Sequence, residues 1–373
     1  MSESSERAPI LVHGATGFTG VLVTELLGSR GIPYAVSGRN PAKLEALASR
    51  LAKEGKRPPD ERVVVDLAVD RSVREAVEGR RMVLACAGPF VEVGEPMLAA
   101  CARAGTHYVD TTGEQRFVAD AMRRYDDTAK ANGACIVPGV AFEITPASFA
   151  CQLASDRLGG GADVIEAFYA NRMPKGKEGL TRGTKKSALR MLGEREPLQF
   201  VDGQLVVERP AEVIKSFALP NGKRLHAFSF PSPEAIVVPP ATGARTVRTF
   251  MAAGSGTSRV LHTMRRVLPR VARAALPFGD RFLDRAADGP DAEARGQATF
   301  AIVAEARKGS ETARVVVTGR DPYGLTAELQ CYAAARAIAG GSFTPGVVAP
   351  SVAFPPRETI LALEHAGLKL DER

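Results

Sequence analysis

The pattern of hydrophobic positions changes character once along the chain, at Pro138-Gly139. Before this point, short apolar runs alternate with amphipathic stretches of helical period. The runs predict strands at residues 10–12, 34–37, 62–65, 82–85, 107–109 and 135–137, with helices beginning near residues 19, 41, 71, 95 and 118. This alternation predicts a parallel sheet with right-handed crossovers and helices on both faces, which is a doubly wound α/β domain.

After this point the pattern is typical of an inserted sheet domain with antiparallel pairing. Strand-like runs at residues 164–170, 204–207, 225–230, 297–307 and 313–319 are joined by polar turns that contain glycine. The last two runs flank Lys308-Gly309-Ser310 and predict a long hairpin. The pattern becomes helical again over residues 325–339, and a final helix is predicted over 356–366, before Gly367.

Composition limits the classes of function. The 373 residues are 24% charged and 45% hydrophobic, as in globular proteins, and the formal net charge of +7 favours an anionic ligand or surface without requiring nucleic acid. Five scattered cysteines, with no CxxC pair, argue against a disulfide scaffold or a zinc site, so no metal is expected. The polar N-terminus and the lack of a long apolar run predict a cytoplasmic protein without a signal peptide.

A basic segment at residues 245–285 departs from this even composition. It contains nine arginines and only two acids, interleaved with apolar residues. A helix of this kind can place its apolar side against a core, a lipid or an acyl chain, while the arginines face water or phosphate. A solvated basic face over an ordinary core is the favoured interpretation, and peripheral membrane or lipid contact stays open beside it.

The segment from Ile10 to Gly20 carries the strongest functional signal. An apolar strand runs into Gly14, Gly17 and Gly20, and an amphipathic helix follows, as dinucleotide-binding loops require. The first glycine permits a tight turn, the second lets the backbone approach a pyrophosphate, and the third allows close packing of the helix on the strand. The N-terminus of that helix would hold the phosphates. The predicted cofactor-binding residues here are Gly14, Thr16, Gly17, Phe18, Thr19 and Gly20.

The end of the second strand indicates which dinucleotide binds. NAD-binding proteins usually place an acid there, whereas this chain has Ser37, Arg39 and Asn40, followed by Lys43. A guanidinium and a hydroxyl at this position suit a 2′-phosphate, so NADPH is predicted as the cofactor. The alternative is that Arg39 is only a surface residue after a strand.

Two further strand ends extend the predicted cofactor site. Asp66 follows the third strand and could accept from the adenine amino group or cap the next helix, and both interpretations stay open. The fourth strand ends in small residues that leave room for the nicotinamide half of the cofactor. These residues are Ala87, Gly88, Pro89 and Phe90.

Three stretches together resemble the saccharopine dehydrogenase-like oxidoreductases, in particular the bacterial trans-acting enoyl reductase type. They are residues 14–20, residues 87–90 with 94–96, and residues 104–114. Similarity at residues 182–187, 321–327 and 346–350 extends the resemblance over nearly the whole chain.

The resemblance implies an NADP-binding Rossmann domain over residues 1–139 and an inserted substrate domain with a mixed or antiparallel sheet over 140–322. C-terminal helices over 323–373 would return to the first domain. It also implies NADPH as the reductant of an acyl or amino-acid-derived substrate. The chain departs from the family run Cys-Gly-Phe-Asp-Ser-x-Pro-Ser-Asp after the sixth strand, because Glu143 stands where the first aspartate is expected and the last acid is absent.

Candidate catalytic residues follow from what hydride transfer needs. An enoyl substrate requires donors for a carbonyl that gains negative charge, whereas a cationic imine would be helped by a nearby carboxylate. Thr184 and Ser187 share one helix face and offer donors, with a helix cap beside solvated lysines as the alternative. Glu143 is a functional carboxylate or a cap of the following helix, and Tyr108 and Tyr323 are candidate proton donors.

We therefore predict an NADPH-dependent reductase of a carbon–carbon double bond in a small-molecule or carrier-bound acyl or polyketide-like substrate. Imine reduction of an amine–aldehyde adduct is the first alternative, and a non-catalytic NADP-binding protein of lipid surfaces is the second. The sequence contains no Gly-x-Ser-x-Gly elbow and no phosphate-binding loop of the Gly-x4-Gly-Lys-Ser/Thr type, so hydrolysis and phosphoryl transfer are not expected. A homodimer is compatible with the sequence.

Overall fold

The chain divides into two compact units. The computed structural model describes residues 7–172, 181–219, 221–283 and 289–371. The first unit comprises the residues up to Thr112, together with Asp120–Ala141 and Thr326–Val348. The second comprises Gly113–Ala119, Phe142–Leu325 and the residues from Ala349 onward. Each unit is built around one sheet.

The bounds of the elements are as follows. The strands are β1 Ile10–His13, β2 Tyr34–Gly38, β3 Glu61–Val64, β4 Met82–Ala85, β5 His107–Asp110, β6 Cys135–Val137, β7 Val164–Arg172, β8 Leu198–Val201, β9 Gln204–Val207, β10 Ile214–Ala218, β11 Arg224–Ser229, β12 Thr246–Ala253, β13 Thr299–Lys308, β14 Glu311–Arg320, β15 Gly346–Val347 and β16 Lys369–Asp371. The helices are α1 Phe18–Ser29, α2 Pro41–Lys53, α3 Asp70–Val77, α4 Phe90–Val93, α5 Glu95–Ala104, α6 Gln115–Asn132, α7 Ile144–Asp156, α8 Arg182–Leu192, α9 Glu234–Thr242, α10 Ser255–Met264, α11 Leu268–Leu283, α12 Ala292–Gln297, α13 Pro322–Ile338, α14 Pro350–Ala353 and α15 Pro356–Ala362, followed by a 3-10 turn at Glu364–Ala366.

The sheet of the first unit is parallel and doubly wound. Its order among the described residues is β15-β6-β5-β4-β1-β2-β3, and every neighbouring pair runs parallel. Strands β1, β2 and β4 are buried along their whole length, as expected for strands covered by helices on both faces. The winding reverses between β1 and β4, so the carboxyl ends of these two strands form the switch point where such sheets bind ligands. The predicted α/β fold class is confirmed.

The sheet of the second unit is mixed. Its order among the described residues is β10-β11-β12-β7-β13-β14-β16, with β8 beside β12 and β9 beside β8. Strands β7 and β12 run parallel, and the other pairs are antiparallel. The predicted hairpin is present as β13 and β14, paired from Thr299 with Arg320 to Lys308 with Glu311. Helix α7 packs on both of these strands.

The start of the basic segment is a strand and not part of a helix. Residues 246–253 form β12, which lies inside the sheet between β11 and β7. Phe250 is fully buried and stacks on Phe168 at 4.9 Å between ring centroids, and Phe168 stacks on Phe217 at 4.7 Å. Arg248 keeps its charge at the edge of this core by pairing with Glu208 at 3.0 Å. Because of the high arginine content of the segment, the sequence pattern did not indicate this strand.

The C-terminal region divides between the two units. Helix α13 from Thr326 onward and strand β15 belong to the first unit, where β15 extends the parallel sheet beside β6. Residues from Ala349 onward belong to the second unit, where β16 pairs with β14. This differs from the expectation that residues 323–373 return to the Rossmann domain as helices. A three-residue strand such as β16 is too short to leave a periodic signal in the sequence.

The burial of Phe250 predicts a large effect of its truncation. Phe250→Ala should lower the free energy of unfolding by about 3–5 kcal/mol, because it leaves a cavity in the ring stack. Phe282→Ala is the matched control, since this side chain is 76% exposed, and it should change the free energy by less than about 0.5 kcal/mol. Urea unfolding followed by circular dichroism measures both. Equal losses would show that β12 is not part of the core.

Candidate functional site

The glycine loop between β1 and α1 is fixed by close contacts of its own backbone. Gly14 has a φ of +76°, and a Cβ there would lie 2.8 Å from the Cβ of Ala87. A Cβ on Gly20 would lie 2.3 Å from the carbonyl oxygen of Gly14. Glycine is therefore required at both positions, at the first for the turn and the approach of the β4 loop, and at the second for packing of α1 on the turn.

Gly17 differs from these two because it borders open space. It is exposed and precedes the first residue of α1, and its Cβ would meet only the Gly14 oxygen, at 3.4 Å. The first N–H groups of an α-helix lack acceptors within the helix and carry the positive end of its dipole. The first turn of α1 has no acidic side chain to oppose an anion. The loop from Thr16 to Gly20 therefore fits a cofactor diphosphate, as predicted from the sequence.

Ser37 is placed differently from the prediction. Its side chain is fully buried, and its hydroxyl lies 3.0 Å from Nδ1 of His13. Burial lowers the pKa of His13 to about 4, so a neutral imidazole and a hydroxyl join the ends of β1 and β2 inside the protein. The carbonyl oxygen of Ser37 also accepts from the N–H of Gly14 at 3.0 Å. Ser37 thus shapes the glycine loop, and its buried hydroxyl is not offered to a 2′-phosphate.

Arg39 and Lys43 are the exposed cations that follow β2. No ion pair of either is found within the part of the chain that the structure describes. Asn40 caps α2, because its side-chain oxygen accepts from the N–H of Lys43 at 3.1 Å. This cap fixes the start of α2, and the contact of the exposed Asn40 with the cofactor stays a prediction. Arg39 and Lys43 remain suited to a 2′-phosphate.

The ends of β3 and β4 complete the first unit's candidate site. The exposed Asp66 closes a turn by accepting from the N–H of Ala68 at 3.0 Å, so its carboxylate is partly engaged. Ala87 lies against Gly14, which brings the β4 loop onto the glycine loop. Gly88 is exposed, whereas Phe90 is buried at the start of α4. Small exposed backbone beside the diphosphate loop is what the nicotinamide half requires.

A cluster of hydroxyl groups surrounds Thr184 in the second unit. Thr181 caps α8, and its Oγ1 lies 2.8 Å from Oγ1 of Thr184. The Thr184 hydroxyl lies 3.1 Å from the hydroxyl of Tyr323, which also accepts from the N–H of Thr181 at 2.8 Å. Tyr323 is therefore hydrogen-bonded to Thr184, which the sequence predicts to be catalytic. Tyr108, the other candidate tyrosine, is fully buried in β5 of the first unit, where burial raises its pKa.

Ser187 has a partner that the sequence did not suggest. Its hydroxyl donates to Oε1 of the buried Glu114 at 2.8 Å. Glu114 directly precedes α6, far from α8 in the chain, so spacing alone could not connect the two. Ser187 is thus anchored on α8 one turn after Thr184, and the predicted shared face of this helix is retained.

Glu143 stands at the start of α7 but does not cap it. No side-chain capping bond forms there, and a Cβ on Gly113 would lie 3.8 Å from its Oε2. Burial, and then the charge of Glu234, raise the pKa of Glu143 to about 7. The carboxyl group of Glu143 in turn raises the pKa of Tyr323, although burial is the larger cause. A carboxyl group that is partly protonated at neutral pH therefore lies within electrostatic range of the Tyr323 hydroxyl.

Glu234 is a site residue that the sequence analysis missed. It is fully buried at the start of α9 and accepts hydrogen bonds from the hydroxyls of Tyr169 and Ser232. Burial raises its pKa despite these two bonds. The available signal was a lone acid before the apolar run Ala-Ile-Val-Val-Pro-Pro, which has no obvious use in a core. In the described part of the chain, no three His, Cys, Asp or Glu side chains come together as metal ligands.

Comparison with known proteins identifies the N-terminal segment of the chain. Residues 10–137 match the family described as Saccharopine dehydrogenase NADP binding domain, so this segment is an NADP-binding domain. A saccharopine dehydrogenase-like oxidoreductase from Mus musculus is 30% identical over 212 residues, which cover 52% of this chain and 49% of the relative. A trans-acting enoyl reductase from Mycobacterium ulcerans is 34% identical over 148 residues, which cover 39% of this chain and 35% of the relative.

The fold is also known among solved structures. The apo saccharopine dehydrogenase (L-Glu forming) of Saccharomyces cerevisiae superposes with a TM-score of 0.61 at 12% identity, covering 98% of this chain and 99% of that one. This likeness concerns the fold. The chain spans about half the length of the curated relatives from mouse, human and cattle that it matches.

The position of Arg39 predicts cofactor selectivity. Arg39→Glu should weaken NADPH binding by roughly tenfold to a hundredfold, because a charge-assisted contact to the 2′-phosphate becomes a repulsion. NADH binding, which lacks that phosphate, should change little. Calorimetric titration with both nucleotides measures this, with Lys53→Glu at the far end of α2 as a charge-reversal control. Equal losses for the two nucleotides would contradict the assignment.

The contrast between Gly17 and Gly20 predicts two different failures. Gly17→Ala should fold normally and bind NADPH roughly tenfold more weakly, because the methyl group enters the space of the diphosphate. Gly20→Ala should lower the free energy of unfolding by about 1–3 kcal/mol, since its methyl group meets backbone atoms. Thermal unfolding without cofactor, beside NADPH titration, separates the two effects. A large loss of stability in Gly17→Ala would show that the space beside Gly17 is not open in the folded protein.

Proposed function

We propose that this chain, whose first unit holds an NADP-binding domain of the saccharopine dehydrogenase family, is an NADPH-dependent reductase of a carbon–carbon double bond. The substrate is an acyl or polyketide-like molecule, either free or bound to a carrier. The observation that carries the proposal is the carboxyl group of Glu143, with its pKa raised to about 7 and hydroxyl groups close by. Relatives from Mycobacterium ulcerans and Mycobacterium leprae that are named trans-acting enoyl reductases support it.

The residues of the first unit suit the cofactor. The glycine loop and the N-terminus of α1 would hold the diphosphate, Arg39 and Lys43 the 2′-phosphate, and residues 87–89 the nicotinamide half. Bound NADPH would supply the hydride for the β-carbon of the enoyl group. The protein must then provide a proton and stabilise the charge that develops on the substrate carbonyl.

The residues of the second unit suit those two tasks. Glu143, whose pKa is raised to about 7, keeps a proton near neutral pH and gives it to the α-carbon of the substrate. The Thr184 hydroxyl donates to the Tyr323 hydroxyl, which lies 3.1 Å away, and the hydrogen of Tyr323 is then directed to the substrate carbonyl oxygen. The Ser187 contact with Glu114 holds α8 in place at 2.8 Å.

The charges around Glu143 favour an enoyl substrate over a saccharopine-like adduct. Besides burial, the charge that raises its pKa is that of another carboxyl group, Glu234, and among the described residues no arginine or lysine lowers it. An adduct built from amino acids carries several carboxylates, which this environment would repel. The acyl chain of an enoyl substrate carries no such charge.

Imine reduction is the second candidate, because two carboxyl groups would stabilise a cationic imine. A panel of enoyl thioesters and preformed imines, assayed by loss of NADPH absorbance, distinguishes the two reactions. Turnover of enoyl thioesters alone supports the proposal, and turnover of imines alone rejects it. Cofactor binding without any NADPH oxidation would favour a non-catalytic role at lipid surfaces, and one relative, from Caenorhabditis elegans, is named lipid droplet localized protein.

The raised pKa of Glu143 predicts the pH dependence of turnover. The protonated form is the active one, so kcat should fall as pH rises through about 7. Glu143→Gln should lower kcat by on the order of a hundredfold and remove this decline, because the amide neither donates a proton nor titrates. Steady-state kinetics across pH measure both effects. Glu311→Gln, at the exposed start of β14, is the matched control and should keep the wild-type profile.

The same substitution has a stability signature of defined sign. The pKa of Glu143 is higher in the folded protein than its usual 4.5, so wild-type stability declines as pH rises from 4.5 to about 7. Above that range Glu143→Gln should be more stable than wild type by roughly 3 kcal/mol. Thermal unfolding across pH tests this. If Glu143→Gln were less stable than wild type at every pH, the Glu143 carboxylate would have to form favourable interactions in the folded protein.

A further inference from the structure

Helices α10 and α11 expose a row of large apolar side chains. The members of this row are Val260, Met264, Val267, Val271, Phe278 and Phe282, which we call the apolar stripe. The two phenylalanines are each 76% exposed. Large exposed apolar groups scattered singly are ordinary on protein surfaces, but a continuous set marks a binding surface.

The spacing of the apolar stripe places it on one side of α11. At about 100° per residue, Val271, Ala275, Phe278 and Phe282 fall within a sector of roughly 60°. The exposed Ala275 fills the interval between the larger side chains. The N–H of Val267 donates to the Met264 oxygen and the N–H of Val271 to the Val267 oxygen, so the stripe continues from α10 into α11.

The other side of α11 is already fixed to the protein. Ala272 is buried, and Gly279 lies so close to Leu189 of α8 that a Cβ would be 2.5 Å from its Cδ2. Arg273 donates to the carbonyl oxygen of Gly193 after α8 at 3.2 Å. The apolar stripe is therefore held outward by packing on α8, and within the described ranges no other part of the chain covers it.

Arginines without ionic partners accompany the apolar stripe. Arg259, Arg266, Arg270 and Arg281 are exposed, and no ion pair of these four is found in the described segments of the chain. Arg265 differs, because it pairs with Glu212 at 3.2 Å. Arg270 and Arg281 lie about a quarter turn to one side of Phe278 on α11. This combination of apolar side chains and flanking guanidinium groups is typical of helices that lie in the interface of a bilayer.

We infer that α10 and α11 form a docking surface for a phospholipid membrane that carries negative charge. The apolar stripe enters the boundary between headgroups and acyl chains, and the flanking arginines contact lipid phosphates. A second copy of the chain suits this surface poorly, because a symmetric contact would place these arginines near their own copies. No helix within the described residues has the length and hydropathy to cross a bilayer. The inference is independent of the proposed reaction.

Vesicle sedimentation with the full chain tests the inference. The protein should pellet with vesicles of phosphatidylcholine and phosphatidylglycerol, and pellet far less with phosphatidylcholine alone or at high salt. The double variant Phe278→Ser with Phe282→Ser should bind anionic vesicles more weakly, by a factor on the order of ten or greater. Leu361→Ser is the matched control, since this leucine is 68% exposed on α15, and it should bind as wild type.

Three results would overturn the inference. The first is that the wild-type protein stays in solution with anionic vesicles, and the second is that the double variant pellets as well as wild type. The third is that sedimentation equilibrium finds a wild-type dimer that binds no lipid and a double variant that is monomeric. NADPH titration of each variant confirms that the first unit is folded. A failure of lipid binding with NADPH oxidation intact would leave the proposed reaction standing.

Discussion

The first unit depends on the close approach of three backbone segments at the carboxyl end of β1. Gly14, Gly20 and the β4 loop at Ala87 meet at distances that leave no room for another side chain. The buried pair of His13 and Ser37 fixes the neighbouring strand end, and the Ser37 oxygen receives the Gly14 N–H. These contacts hold the turn in the conformation that exposes Gly17 and the N-terminus of α1. The suitability of this loop for phosphate is thus a consequence of packing, because the same contacts that stabilise the turn leave the N-terminus of α1 accessible.

In the second unit the corresponding constraint is electrostatic. Glu143 and Glu234 are placed where burial disfavours charge and raises the pKa of both, and the charge of Glu234 raises the pKa of Glu143 further. Glu234 receives two hydrogen bonds from Tyr169 and Ser232, whereas Glu143 does not cap its helix. The two carboxyl groups therefore differ, since the hydrogen bonds fix Glu234 in place, and Glu143 is the one that exchanges a proton in the proposed reaction. A fold maintains such an arrangement at a cost in stability, which is why it points to function.

The sequence was sufficient where structure follows from local pattern. Alternating strands and helices, the glycine spacing and the β13–β14 hairpin depend on neighbouring residues, and all three were predicted correctly. Ser37 was assigned to the ligand because its residue type suits phosphate, but its position inside β2 turns it towards His13. Glu234 was missed because its partner Tyr169 lies 65 positions away along the chain. Side-chain direction and long-range partners follow from packing, which periodicity does not describe.

The partners of charged residues are likewise not predictable from the sequence alone. The formal net charge of +7 and the nine arginines of residues 245–285 allowed a solvated face, a phosphate site or a lipid surface. The structure divides those arginines by their neighbours. Arg248 and Arg265 are neutralised by Glu208 and Glu212, whereas Arg270 and Arg281 flank exposed phenylalanines. A surplus of positive charge thus acquires a specific meaning only where it is unpaired and borders apolar surface, because that juxtaposition matches the chemistry of a lipid interface and of few other partners.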